Sequence, residues 1–177
     1  MLSTDLAALK KHMAENPGGV IEDVARDKNA TCRAVLEALP EEMRSFAPGS
    51  AFVEAMQDIA TWGQVTLIIH TDDGIFEVTD PVSQGEIGRG YFNLSGPKGL
   101  HGHLRHERCG GLAFVERPFM GKSSAFVAFI NVASCSRCLS DATRPVSSRP
   151  IRWSGSTLWR RSCRRAVNLI RRHHPFE

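Results

Sequence analysis

Three histidines, His101, His103 and His106, fall within six positions of a glycine-rich stretch that runs from Arg89 to Gly121. Imidazole nitrogen ligates transition metals and carries protons near neutral pH, and glycines let backbone approach a bound molecule closely. A fourth histidine, His70, ends the apolar run Val65-Thr66-Leu67-Ile68-Ile69. Taken alone, a histidine there reads as a hydrogen-bonded structural residue. The H-x-H spacing of 101 and 103 puts both rings on one face of an extended strand, which suits a divalent metal. No further Cys or carboxylate stands ready to complete that set. Cys135 and Cys138 have the C-x-x-C spacing of redox and zinc sites, but lack the strand-to-helix junction that activates such a pair. There is no Ser-His-Asp order, phosphate loop or paired-carboxylate motif. Gly88-Arg89-Gly90 is not a nucleotide fingerprint without a following helix. The expectation is a binding site rather than a catalytic one.

The histidines need rigid supports. Short apolar runs at Tyr91–Leu94 and 111–115 read as strands on either side of a histidine-bearing loop. Upstream, 65–70 reads as a strand, 71–74 as a turn and 75–79 as its partner, with a loop over 81–88. The run 125–130 reads as the last regular strand. Helices come first. Ser3 caps a helix bearing Leu6, Leu9 and Met13, and Asn16-Pro17-Gly18-Gly19 ends it. Residues 21–26 and 31–39 read as two more. Residues 52–61 form a fourth, with Phe52, Met56 and Ile59 spaced for one buried face. Helices followed by mainly antiparallel strands make an α+β fold.

A chain of 177 residues suits one domain with a sizeable core. No apolar run is long enough to span a bilayer, and the start has no signal-peptide layout, so a cytoplasmic location is expected. Five cysteines at irregular spacing argue against a secreted disulfide framework. The net charge of +3 hides an asymmetry. Residues 1–132 hold 12 Lys and Arg against 17 Asp and Glu, a net of −5, whereas 133–177 hold 10 Arg against 2 acids, a net of +8. A basic tail of this kind can bind nucleic acid. The three short helices resemble a helix-turn-helix, but Glu22, Asp23, Asp27 and Glu37 oppose Arg26, Lys28 and Arg33. A helical subdomain packed on the sheet is the better reading.

Several motifs resemble the cytosolic haem carriers of the HutX/ChuX family. They are Gly-Tyr-Phe-Asn-Leu at 90–94, Gly-His-Leu at 102–104 and Phe-Val-Glu-Arg-Pro-Phe-Met-Gly at 114–121. Trp62-Gly63, Leu67-Ile68-Ile69-His70-Thr71 and Gly19-Val20-Ile21-Glu22-Asp23-Val24-Ala25 match the same family. The resemblance covers residues 1–132 and implies a haem-utilisation (ChuX/HemS-like) fold, usually a homodimer. It implies an intracellular carrier that is not an enzyme, captures haem after uptake and passes it to a haem-degrading acceptor. The histidines matching His70 and His103 are those implicated in haem binding, so both are expected to meet one iron-porphyrin in an apolar slot. Arg89, Lys98 and Arg105 are candidates to pair with the propionates. The rival readings are a haem-degrading enzyme of the same fold and a DNA-binding regulator using the N-terminal helices.

From Ala133 the text changes: rich in Ser, Arg and Cys, without Lys or a clean period. Reading the last base of each codon with the first two of the next allows Ile-Met-Phe-Lys-Val-Phe-Val, then Gly-Arg-Asp-Glu, then Asp-Gln-Val-Glu-Arg-Phe. The first is a good strand and the last suits a closing helix; the resembled family carries such text here. Residues 133–177 are therefore expected to be a frameshifted, poorly packed tail. The family's last strand and helix would be missing, haem binding would be weaker, and the Cys pair and the Arg pairs at 160–161, 164–165 and 171–172 would be incidental.

Overall fold

In a computed structural model of the chain, residues 5–71, 73–96, 99–131 and 137–141 are described, the last as backbone only. Ser3, Lys98, Cys135, the three Arg pairs and the region of the expected closing helix lie outside the described residues.

The chain opens with α1 (Leu6–Glu15), α2 (Ile21–Asp27) and α3 (Cys32–Ala38). Asp5 caps α1, its carboxylate accepting from the amides of Ala7 and Ala8 at 3.0 and 3.1 Å. This satisfies two of the four donors that a helix start leaves open. The cap is thus two residues later than expected, and Leu6 points outward while Leu9 and Met13 are buried. Thr31 caps α3 through Ala34 N at 3.1 Å.

A six-stranded antiparallel sheet follows, in the order β1-β7-β8-β9-β2-β3. Its strands are β1 (Arg44–Pro48), β2 (Gln64–Thr71), β3 (Gly74–Pro81), β7 (Cys109–Phe119), β8 (Lys122–Asn131) and β9 (Arg137–Asp141). A smaller sheet holds β4 (Gly85–Gly88), β5 (Tyr91–Leu94) and β6 (Gly102–Leu104). β1 lies between the third and fourth expected helices, where no strand is expected, β4 in the expected loop, and β6 inside the expected histidine loop.

Alternation along the strands divides the interior in two. Ala47, Val65, Leu112, Phe114, Val127 and Phe129 face one way and pack with α4 (Phe52–Ile59) and with Phe92 and Leu94 of the small sheet. Ala113, Val115, Ala128 and Ile130 face the other way and pack with α1, α2 and α3. Phe52 joins the first layer together, with ring centroids 5.7 Å from Phe92 and 5.1 Å from Phe129. The α4 face is Phe52, Ala55, Met56 and Ile59, as its spacing requires.

The tail corrects one expectation. Arg137–Asp141 run as β9 between β8 and β2, with Leu139 opposite both Val127 and Leu67. Five tail residues fill the central position, so a strand stands where one was expected to be missing and both neighbours keep a ladder partner.

Buried Arg117 fastens the helices to the sheet. Its Nη1 donates to Pro17 O and to Gly19 O, the latter at 2.6 Å, and its guanidinium lies over the rings of Phe119 and Phe126. Arg117→Met keeps the apolar stem but leaves two carbonyls without their donor. Chemical denaturation is expected to show a stability loss of about 3 kcal/mol with an unchanged denaturant slope.

At the end of α4, Trp62 Nε1 donates to Asp58 Oδ2 at 2.7 Å. Burial raises the Asp58 carboxyl from 3.8 to about 6; the Trp62 hydrogen bond opposes that rise and the nearby Glu54 carboxylate adds to it. A raised folded-state value means that the folded chain holds the proton more tightly than the unfolded one. Stability from Asp58 is therefore full below about 4 and is lost as pH rises through about 6. Asp58→Asn keeps an acceptor for Trp62 and removes the ionisation. Its melting temperature relative to the parent is expected to climb across that window and level off above it.

Candidate functional site

His103 sits on β6, not on an irregular loop. In the small sheet Phe92 and Leu94 turn into the core, so Tyr91 and Asn93 turn outward. His103 is paired in register with Asn93 and is exposed beside it. Its Nδ1 lies 2.7 Å from Asn93 Oδ1, and its ring meets that of Tyr91 edge-on at 5.9 Å. Arg105 completes the group: its Nη2 donates to Tyr91 Oη at 3.2 Å, and its guanidinium lies 5.3 Å above the Tyr91 ring. Imidazole, phenol, carboxamide and guanidinium thus share one open face.

A tight hairpin positions this face. Gly88 pairs with Tyr91 across the two-residue turn Arg89-Gly90, whose φ values are +54° and +79°. Two positive values mark the primed turn that matches strand twist, and Gly90 adopts its value without steric cost. Arg89 is exposed at the turn tip, at the end of β5 that carries Tyr91. Beneath, Gly85 packs against Phe92 so closely that a Cβ would lie 2.3 Å from the ring.

His70 has a different setting. It lies on β2 with Thr66 and Ile68, the side of the sheet covered by the helices. Its Nδ1 is 3.3 Å from Glu22 Oε2 of α2, and their side chains are only 13% and 17% exposed. Thr66 and Thr79 share a hydroxyl hydrogen bond of 2.9 Å on the same side. The six-stranded sheet and its apolar filling separate His70 from His103. One chain does not bring the two imidazoles together.

His101 is exposed, and His106 sits in a short 3-10 turn with its ring centroid 6.4 Å from that of Phe52. His106 Nδ1 is buried with no hydrogen-bond partner among the described residues. Nor do three His, Cys, Asp or Glu residues converge as a metal site among the described residues. The signal of the H-x-H pair therefore gains no further ligand. Three members of these groups escaped sequence reasoning: Tyr91, Asn93 and Glu22. Period-two alternation through 91–94 was the signal for the first two.

Arg26 and Arg33 pair with Asp23 and Glu37 on their own helices, at 2.9 and 2.8 Å. These pairs leave α2 and α3 poorly suited to phosphate contact. No helix among the described residues is long and apolar enough to cross a membrane.

Known proteins place this architecture. The family model described as haem utilisation ChuX/HutX matches residues 45–133. The intracellular heme transport protein HutX of Vibrio cholerae is 40% identical over 107 residues, 60% of this chain and 55% of that relative. The chain thus spans about half the length of that curated relative. A crystal structure of a protein from Erwinia carotovora is 37% identical with a TM-score of 0.72, covering 93% of this chain and 94% of that one. The crystal structure of ChuX is 29% identical with a TM-score of 0.69, covering 93% and 99%. The matched region carries both β2 with His70 and the Tyr91–Arg105 face, and with the likeness of sequence and fold the chain belongs to the ChuX/HutX haem-utilisation family.

Proposed function

We propose that the chain is an intracellular haem carrier and that haem is its cargo. It captures haem, keeps it soluble and passes it to a haem-degrading acceptor. The observation that carries this reading is the open face of β5 and β6. There an exposed imidazole has one nitrogen engaged by Asn93, while Arg105 supplies a cation beside it. Iron takes imidazole nitrogen, and a guanidinium suits a propionate. The relative from Vibrio cholerae is named for intracellular heme transport, and a further ChuX structure is described as a heme-binding protein at 28% identity.

On this reading His103 would hold the haem iron, and Arg105 and Arg89 would pair with the propionates. His70, partly buried against Glu22, is the second candidate and serves either a separate site or the partner in a homodimer. Lys98 is proposed on the resemblance alone. Residues 1–132 form the carrier domain, located in the cytoplasm. Residues 133–177 are proposed to be its shifted-frame tail, which has replaced the family's ending; the family match stops at 133.

Haemin titration followed in the Soret band tests the ligands. His103→Ala is expected to weaken binding on the order of tenfold or more and to change the spectrum, with a smaller effect from His70→Ala. If neither substitution changes spectrum or affinity, the assignment fails. Carbon monoxide or verdohaem released with a reductant present would instead support an enzyme. For the tail, the gene's nucleotide sequence is the check. An intact single frame shared by related strains would refute the shift.

A further inference from the structure

We propose that Asn93 is a positioning residue that locks His103 as its Nδ1–H tautomer, so that Nε2 carries the lone pair offered to a ligand. The identification of that ligand as haem iron rests on the preceding reading; the tautomer lock does not.

The carboxamide of Asn93 has its orientation set from behind. Its Nδ2 lies 3.2 Å from Glu86 O, 3.0 Å from Gly88 O and 3.3 Å from Tyr91 O. Three carbonyl oxygens surround one amide nitrogen. Turning the group over would set Oδ1 against all three, lone pair facing lone pair, and would lose every donor. Oδ1 must therefore face His103, where it stands 2.7 Å from Nδ1. A carboxamide oxygen can only accept. The hydrogen in that contact belongs to Nδ1, and in the neutral ring Nε2 is then unprotonated. The Tyr91 ring, edge-on at 5.9 Å, restricts rotation of the imidazole out of this contact.

Asn93 also spans the β4–β5 turn through Gly88 O and Tyr91 O, so one side chain couples hairpin closure to the state of the imidazole. Outer partners of this kind fix the tautomer and direction of a ligating histidine and are worth on the order of ten- to a hundredfold in metal affinity.

The test is the ¹⁵N spectrum of the His103 ring in the full chain without haem, at mildly alkaline pH where imidazole is neutral, with the signal assigned from its loss in His103→Gln. The expected result is a protonated Nδ1 and an unprotonated Nε2, and a shift toward the other tautomer in Asn93→Ala. A protonated Nε2 in the parent chain, or an unchanged tautomer in Asn93→Ala, would overturn the proposal. The parent spectrum decides the first point even if Asn93→Ala fails to fold. In parallel, haemin titration of Asn93→Ala should show about tenfold weaker binding, with no further loss when it is added to His103→Ala. A full additive loss would show that Asn93 does not act through His103. If the tautomer is as expected but His103→Ala binds haemin like the parent, the haem reading fails and the lock stands.

Discussion

A β-sheet covered on both faces sorts every strand's residues into two compartments, because successive side chains point to opposite sides. β7 and β8 lie near the middle of this sheet and obey that rule without exception through their core. Leu112, Phe114, Val127 and Phe129 serve one layer, and Ala113, Val115, Ala128 and Ile130 the other. The large side chains lie toward α4 and the small sheet, and alanines lie among those toward the helices. Every other feature inherits this division. His70 takes the helix side because it shares parity with Thr66, and His103 belongs to a second sheet laid over the opposite layer. A one-residue slip in β2 would exchange the faces and expel Val65 from the core.

Both histidines nevertheless meet the same kind of neighbour. Each Nδ1 faces an oxygen: the carboxylate of Glu22 for His70, and the carboxamide of Asn93 for His103. A ring held through Nδ1 presents Nε2 outward along its long direction, the better geometry for reaching a bulky ligand. The two settings differ in access. His70 is enclosed, its partner being part of the helix–sheet contact, so disturbing it loosens α2 from β2. His103 is exposed on a face whose fixed elements are a turn and an aromatic ring. Ligand exchange needs an open approach, and of these two His103 has one in the single chain.

Strong periodicity made the helices and long strands legible. Phe52, Met56 and Ile59 recur at helical spacing, and 65–70 with 75–79 alternate around a turn. The misses have particular causes. β1 follows Pro40-Glu41-Glu42 and ends at a proline, so its alternation is short and framed by loop residues. β4 is half glycine, and β6 is three residues long. Such strands owe their existence to partners across the ladder rather than to propensity. The histidine pair was legible as chemistry but not as geometry. That His70 and His103 fall in different layers depends on how β4, β5 and β6 fold over the main sheet, and no local pattern encodes that. Asn93 was hidden for a similar reason: its role comes from three carbonyls on both sides of a turn.

β9 is placed by its backbone pairing with both neighbours. A gap between β8 and β2 presents N–H and C=O groups from both neighbours, and any extended segment that can donate and accept satisfies them. Arg137–Asp141 contains no proline, the residue that would break such a ladder, whereas 145 and 150 are both proline. Every amide of that stretch is thus free to enter the ladder. Hydrogen bonding of the ladder is indifferent to side chains; packing of the two layers is not. An Arg-Cys-Leu-Ser-Asp strand occupies a place where β8 beside it contributes Val127, Ala128 and Phe129 to two apolar interiors. Pairing alone thus sets the order of strands from β8 to β2, since Leu139 stands in register with both Val127 and Leu67.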